Sequence, residues 1–139
     1  METITKVSQY INKNSAPTDS ILVWSFEPLI YFLAKRNAPT RFLFNSPLIA
    51  EFNAKKNQWR RELINDLTAT PPQYIIVSNN DFLTNHIMTN TNQDSATLLK
   101  DFSEMYFFLE QFYTLDKKIG NYLIYAFIPH NSRTINITD

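Results

Sequence analysis

Cysteine is absent from the 139 residues, which removes disulfides, thiolate metal sites and cysteine nucleophiles together. That absence suits either side of a membrane and leaves the compartment open. Glycine occurs once, at Gly120. Phosphate-cradling loops of the dinucleotide or P-loop kind need several glycines for close backbone approach, so both are excluded. Charge of one sign is also missing: thirteen Lys and Arg balance thirteen Asp and Glu. A dedicated nucleic-acid binder usually carries a basic face, so no nucleic-acid partner is expected. Apolar runs such as Leu29–Ala34 fall far short of the roughly 20 residues of a spanning helix. The N-terminus is polar from Glu2 onward and has no apolar signal core. As it stands the chain reads as soluble.

What is present suits one α/β domain over residues 1–139, with 130–139 as a polar tail. Hydrophobic residues make up 44% and aromatics 14%, enough for a packed core. Ile4, Val7 and Ile11 recur at helical spacing and predict an amphipathic helix over Glu2–Lys13. Ile21–Trp24 is an apolar, β-favouring run of the kind buried on both faces of a parallel sheet. Pro28 stands where a helix over Leu29–Lys35 begins. Arg41–Phe44 reads as a second strand, and Ser46-Pro47 as N-cap and first residue of a longer helix reaching Leu67. Pro71-Pro72 ends it, and Tyr74–Val77 is a third strand.

A long polar loop over Asn79–Asp94 precedes a last helix capped by Asp94 or Ser95, with Leu98, Phe102, Met105 and Leu109 in strict register. Phe112–Asp116 and Tyr122–Ile128 then form a hairpin with Gly120 in its turn. The expected fold is a small Rossmann-like three-layer α/β domain with three parallel strands, the first between the other two. A C-terminal antiparallel hairpin closes one edge.

The opening unit also carries a likeness. "SAPTDSILVWSFEPLIYFLAKRNAPTRFLF", then "SPL" and "LTATPPQYIIVSN", resembles the C-terminal soluble domain of bacterial multi-spanning glycosyltransferases. These form the broad family of the protein O-mannosyltransferases and the lipid A aminoarabinose transferases. The matching positions are Glu27-Pro28, Tyr31, Leu33, Ala34, Arg36, Arg41-Phe42, Pro71-Pro72, Tyr74–Val77 and Tyr122-x-x-Tyr125. The resemblance implies a domain on the extracytoplasmic side of the bacterial cytoplasmic membrane. Its partner would be the membrane-embedded part of the same polypeptide, with an acceptor glycan or protein as a further partner. The parent would transfer a sugar from a polyprenyl-phosphate donor. The family's membrane helices and their catalytic acidic loop are not in this chain, which is either an excised domain or an independent relative. No catalytic residue and no cofactor carry over.

In open parallel sheets ligands bind beyond the carboxyl ends of the strands. Ser25, Glu27, Tyr31, Asn45, Ser46, Ser78, Asn79 and Asp81 are the candidate ligand-binding residues there, beside helix starts that attract anions. The structural alternative is that Glu27 and Asp81 complement helix dipoles or pair with Arg36 or Arg41. His86 and His130 lie far apart and lack zinc-ligand spacing, so no metal is expected. Lys55, Lys56, Arg60 and Arg61 surround Trp59 and read as a solvated helix face, diluted by Glu51, Glu62 and Asp66. Phe82, Leu83, Ile87 and Met88 are apolar pairs in a polar loop. They either form a contact surface or fold back beneath the loop.

Overall fold

The computed structural model describes residues 2–50, 53–81 and 93–129. In chain order the elements are α1 (Glu2–Lys13), β1 (Ile21–Trp24), α2 (Leu29–Ala34), α3 (Ser46–Ile49) and α4 (Lys56–Ala69). There follow β2 (Tyr74–Ser78), α5 (Ser95–Asp101), α6 (Ser103–Phe112), β3 (Tyr113–Ile119) and β4 (Tyr122–Phe127). The sheet runs β1-β2-β4-β3. β1 and β2 are parallel, with Ile21 opposite Tyr74 and Trp24 opposite Val77. β4 is antiparallel to both β2 and β3.

Side chains alternate between the two faces of a strand, and here each face has its own core. Leu22, Trp24, Ile75 and Val77 pack against Leu63 and Leu67 of α4, Leu98 and Leu99 of α5, and Met105 and Leu109 of α6. On the opposite face Ile21, Val23, Tyr74, Ile76 and Ile124 meet Val7 and Ile11 of α1 and Ile30 and Ala34 of α2. The continuous apolar character of β1 and β2 follows from this double burial. Among the described residues, no helix is long and apolar enough to cross a membrane.

The α/β class, the three layers and the closing hairpin stand as expected, but the sheet has two parallel strands rather than three. Arg41–Phe44 is not a strand, and β1 lies at the sheet edge instead of between two neighbours. The outer edge of β1 already has its partners. Ile21 N–H donates to the Asn37 carbonyl at 3.0 Å, and Asn45 N–H donates to the Ser25 carbonyl at 3.0 Å. Between them, Val23 N–H donates to the Tyr31 hydroxyl at 2.8 Å. The intervening chain bows outward onto α4. Thr40 Oγ1 donates to Asp66 at 2.8 Å, and Arg41 forks onto Glu62 at 2.7 and 3.0 Å.

Two expected helices are each divided. The segment that starts at Ser46 leaves helical geometry at Ala50, where ψ is 126°, and α4 begins only at Lys56. Asn53 marks the interval: its amide donates to the Pro47 carbonyl, and its Oδ1 accepts from Lys55 N–H. The N-cap of α3 is Asn45, not Ser46. The last helix breaks at Phe102, whose ψ of 81° lets its buried ring enter the core between α5 and α6. Gly120, at φ +57°, opens the two-residue turn between Ile119 and Tyr122, a position that favours glycine.

Candidate functional site: the strand-end rim

The carboxyl ends of β1 and β2 gather most of the expected rim residues around one that went unremarked except as a cap, Ser95. Its backbone N–H and its hydroxyl both donate to Asp81, at 2.7 and 2.6 Å. Its hydroxyl also accepts from the Asn45 amide at 2.9 Å, and its carbonyl accepts from Trp24 Nε1 at 2.8 Å. Thus one fully buried serine joins the end of β1, the start of α3, the exit of β2 and the start of α5. The signal for it lay in Asp94-Ser95 ahead of an apolar helical repeat, a capping pattern.

Each carboxylate of the rim faces backbone donors. Glu27 Oε1 accepts from Leu29 N–H at 2.9 Å in the first turn of α2, and Ser25 Oγ accepts from Glu27 N–H at 2.9 Å. Asp94 accepts from Thr97 N–H at 2.9 Å, capping α5, and from Asn80 N–H at 2.8 Å. Burial works to raise the Asp94 pKa, but the hydrogen bonds from Thr97 and Asn80 outweigh it and hold the carboxyl below its ordinary value. The acids therefore complement helix starts and turn N–H groups, and neither Glu27 nor Asp81 pairs with Arg36 or Arg41. Arg41 pairs with Glu62. Arg36 is buried and donates to carbonyls at two helix ends: Asn12 in the last turn of α1 and Ser15 just beyond it, and Ala34 at the end of α2 and Lys35 just beyond it.

Tyr31 does not face the rim. Its ring lies in the core beneath α2 and its hydroxyl completes the edge of β1; burial pushes that phenol far above its ordinary pKa. Tyr122, by contrast, belongs to the rim: burial, then the charges of Asp81 and Glu27, raise its pKa. Ser78 and Asn79 are tied to the hairpin turn. The Asn121 amide donates to the Asn79 carbonyl at 2.8 Å and lies 3.4 Å from Ser78 Oγ. Phe82, Leu83, Ile87 and Met88, like His86 and His130, lie outside the described residues.

Among the described residues, three buried side-chain atoms lack a hydrogen-bond partner: Asn45 Oδ1, Ser46 Oγ and Asn79 Oδ1. All three come from the expected rim. An unsatisfied buried polar atom costs about 1–3 kcal/mol, and such atoms mark places where a water or a ligand completes the structure. These neutral oxygens lie in the same region as the carboxylates that accept from backbone donors.

The basic helix face behaves as a structural one at Arg60, whose Nε donates to the Leu48 carbonyl at 2.7 Å and whose guanidinium lies 4.4 Å from the Phe102 ring centre. Desolvation lowers its pKa, against the charges of Glu104 and Asp101.

No curated protein matches this chain. Among solved structures, the C-terminal globular domain of oligosaccharyltransferase from Archaeoglobus fulgidus is similar, at 12% identity and a TM-score of 0.48, over 88% of this chain and 95% of that one. The family model described as "Putative competence-induced protein Ccs4 C-terminal domain" matches residues 2–108. That span is well over half of the chain, and the chain belongs to this family.

Proposed function

We propose that this chain is a non-catalytic C-terminal domain of a polytopic bacterial glycosyltransferase that uses a polyprenyl-phosphate-linked sugar. It stands on the extracytoplasmic side of the cytoplasmic membrane, where it assists acceptor binding or covers the membrane active site. Its first partner is the membrane-embedded part of the same polypeptide. Phe82, Leu83, Ile87 and Met88 form the contact surface in this proposal. The observation that carries the non-catalytic part is the state of the rim acids. Glu27, Asp81 and Asp94 all accept from backbone N–H groups, which supports a structural role for these acids. The family's description as a C-terminal domain supports membership of a larger polypeptide. The sequence likeness at Glu27-Pro28, Tyr31, Arg36 and Arg41 supports the transferase.

The reading is tested by incubating the isolated chain with a polyprenyl-phosphate sugar and candidate acceptors. No transfer and no hydrolysis are expected. Turnover that survives repurification and is lost on Glu27→Gln or Asp81→Asn would overturn it.

The three unpartnered oxygens favour a second reading: a free-standing module binding a phosphorylated or sugar ligand at the rim, through Ser25, Glu27, Asn45, Ser46, Ser78, Asn79 and Asp81. Titration with sugar phosphates separates the two. Saturable micromolar binding that disappears in Glu27→Ala and Ser46→Ala favours the module, and the transferase reading expects none from the isolated chain.

A further inference from the structure

Helices α4 and α6 leave an open groove between them. Ile64 and Thr68 of α4 line it together with Glu104, Phe107 and Phe108 of α6, around a cleft of about 510 Å³, a volume in the range of small-molecule sites. A smaller cleft of about 180 Å³ shares Thr68 and Phe108 and ends on Pro71 and Phe127. A run of rings underlies both. The centre of the Phe108 ring is 5.2 Å from that of Phe112 and 5.7 Å from that of Tyr113, and Tyr113 is 5.4 Å from Phe127. Phe107 is 64% exposed and open to solvent. The polar lining side chains carry oxygen alone. Thr68 Oγ1 already donates to the Ile64 carbonyl at 2.7 Å, so its remaining capacity is to accept. Ser103 and Glu104 are exposed in the first turn of α6. Among the described lining residues Glu104 is the ionisable one, and it forms no ion pair with a described residue. Arg60 senses its charge, but Arg60 Nε is held by the Leu48 carbonyl and its guanidinium by the Phe102 ring.

We propose that this groove binds a small hydrophobic amine, an aromatic ring carrying one ammonium group on a short chain. The ring lies against Phe107 and Phe108, where offset or edge-on aromatic contacts are favourable. The ammonium reaches the Glu104 carboxylate. An ammonium has three donors and no acceptor, which suits a polar end built of accepting oxygens, and a cation gains further attraction over the face of a Phe ring. A carboxylate on the same body would meet Glu104 as a like charge. No rim residue is among the described residues of either cleft, and the inference does not depend on the glycosyltransferase reading.

The test is an NMR titration of the whole chain at neutral pH with phenethylamine and, separately, with phenethyl alcohol and phenylacetate. The backbone amides of Ile64, Thr68 and Phe107 are the reporters. That of Ile30, in the core on the opposite face of the sheet, is the internal reference. Saturable movement of the three reporters with Ile30 unmoved is expected for the amine. The alcohol is expected to bind about fivefold more weakly, the size of one exposed ion pair, and phenylacetate more weakly still. Added salt should narrow the lead of the amine over the alcohol. Glu104→Gln changes an exposed side chain and is expected to bring amine and alcohol within about twofold. Phe107→Ala removes a mostly exposed ring, so this variant is expected to fold and to bind the amine about threefold more weakly or worse. Unmoved reporters at millimolar amine, alcohol or phenylacetate binding as tightly as the amine, or unchanged amine binding in Phe107→Ala would each overturn the proposal. Should Glu104→Gln fail to fold, the comparison of the three ligands and Phe107→Ala decide.

Discussion

The outer edge of β1 is completed at Val23 by a side chain, and removing one oxygen tests that directly. In Tyr31→Phe the ring keeps its place among Val23, Ile30 and Ala34, so the apolar burial is unchanged. What is lost is the acceptor for Val23 N–H, at 2.8 Å in a buried setting. Val23 is 2% exposed, so water does not replace the hydroxyl without disturbing the core. A buried backbone N–H left without a partner costs about 1–3 kcal/mol. For a domain of this length that corresponds to a fall in melting temperature of roughly 3–12 °C. Urea unfolding is expected to shift its midpoint with an unchanged slope, because the surface exposed on unfolding stays the same. Amide exchange gives the local readout: Val23 should lose protection beyond the global loss, while Ile76 in central β2 should follow global stability. A loss below about 0.5 kcal/mol, with Val23 still protected, would refute the claim that Tyr31 closes this edge.

Three further expectations follow from the same contacts. Gly120→Ala places a Cβ 2.7 Å from Thr3 Cγ2 at a φ of +57°, and is expected to cost about 2–3 kcal/mol from backbone strain and overpacking together. Adding Thr3→Ser should recover only the packing share, as read by chemical denaturation. Arg36→Lys replaces a fork that spans two helix ends by a single ammonium, and should destabilise by about 2–4 kcal/mol, with exchange protection falling at the C-termini of both α1 and α2. Tyr10 donates to Asp116 at 2.6 Å. That hydrogen bond first, then burial and the Asp116 charge, push the Tyr10 phenol up to about 12. Because the folded value lies above the ordinary 10.0, this contribution is complete below pH 10 and fades as the pH rises through about 12. The stability difference between the unaltered chain and Tyr10→Phe should be flat from about pH 7 to 9 and then close; a difference that grows with alkali would contradict the assignment.

Much of the architecture was legible because local patterns agreed with the final packing. Val7 and Ile11 fix the buried face of α1, and the unbroken apolar runs of β1 and β2 announce strands covered on both sides. Arg41–Phe44 misled for an identifiable reason. Its aromatic and apolar residues suit a strand, but only Phe42 is buried, and it packs against Trp59 of α4 instead of pairing with β1. No local pattern announces that a tyrosine hydroxyl eight residues further along will occupy the place of a neighbouring strand. The division of the last helix was equally hidden, since Leu98, Phe102, Met105 and Leu109 keep helical spacing across the break and all four are buried.

The rim was legible as a location and only partly as chemistry. Strand ends and helix starts predicted where Asn45, Ser78 and Asp81 would lie, while Ser95 as the hub of the network depends on contacts 50 and 71 residues apart in sequence. The resemblance also acquires a physical meaning. Glu27 caps α2, Tyr31 completes β1, and Arg36 ties two helix ends together. These three residues of the likeness thus hold the opening unit in shape.

The central claim, an accessory domain without catalysis of its own, is tested most directly in membranes bearing the full-length protein, by following transfer of a labelled sugar from its polyprenyl-phosphate carrier. Transfer is expected to fall sharply when this domain is deleted, to be absent from the isolated chain, and to persist in Glu27→Gln and Asp81→Asn variants that remain folded. Undiminished transfer without the domain, or turnover by the chain alone, would contradict the account.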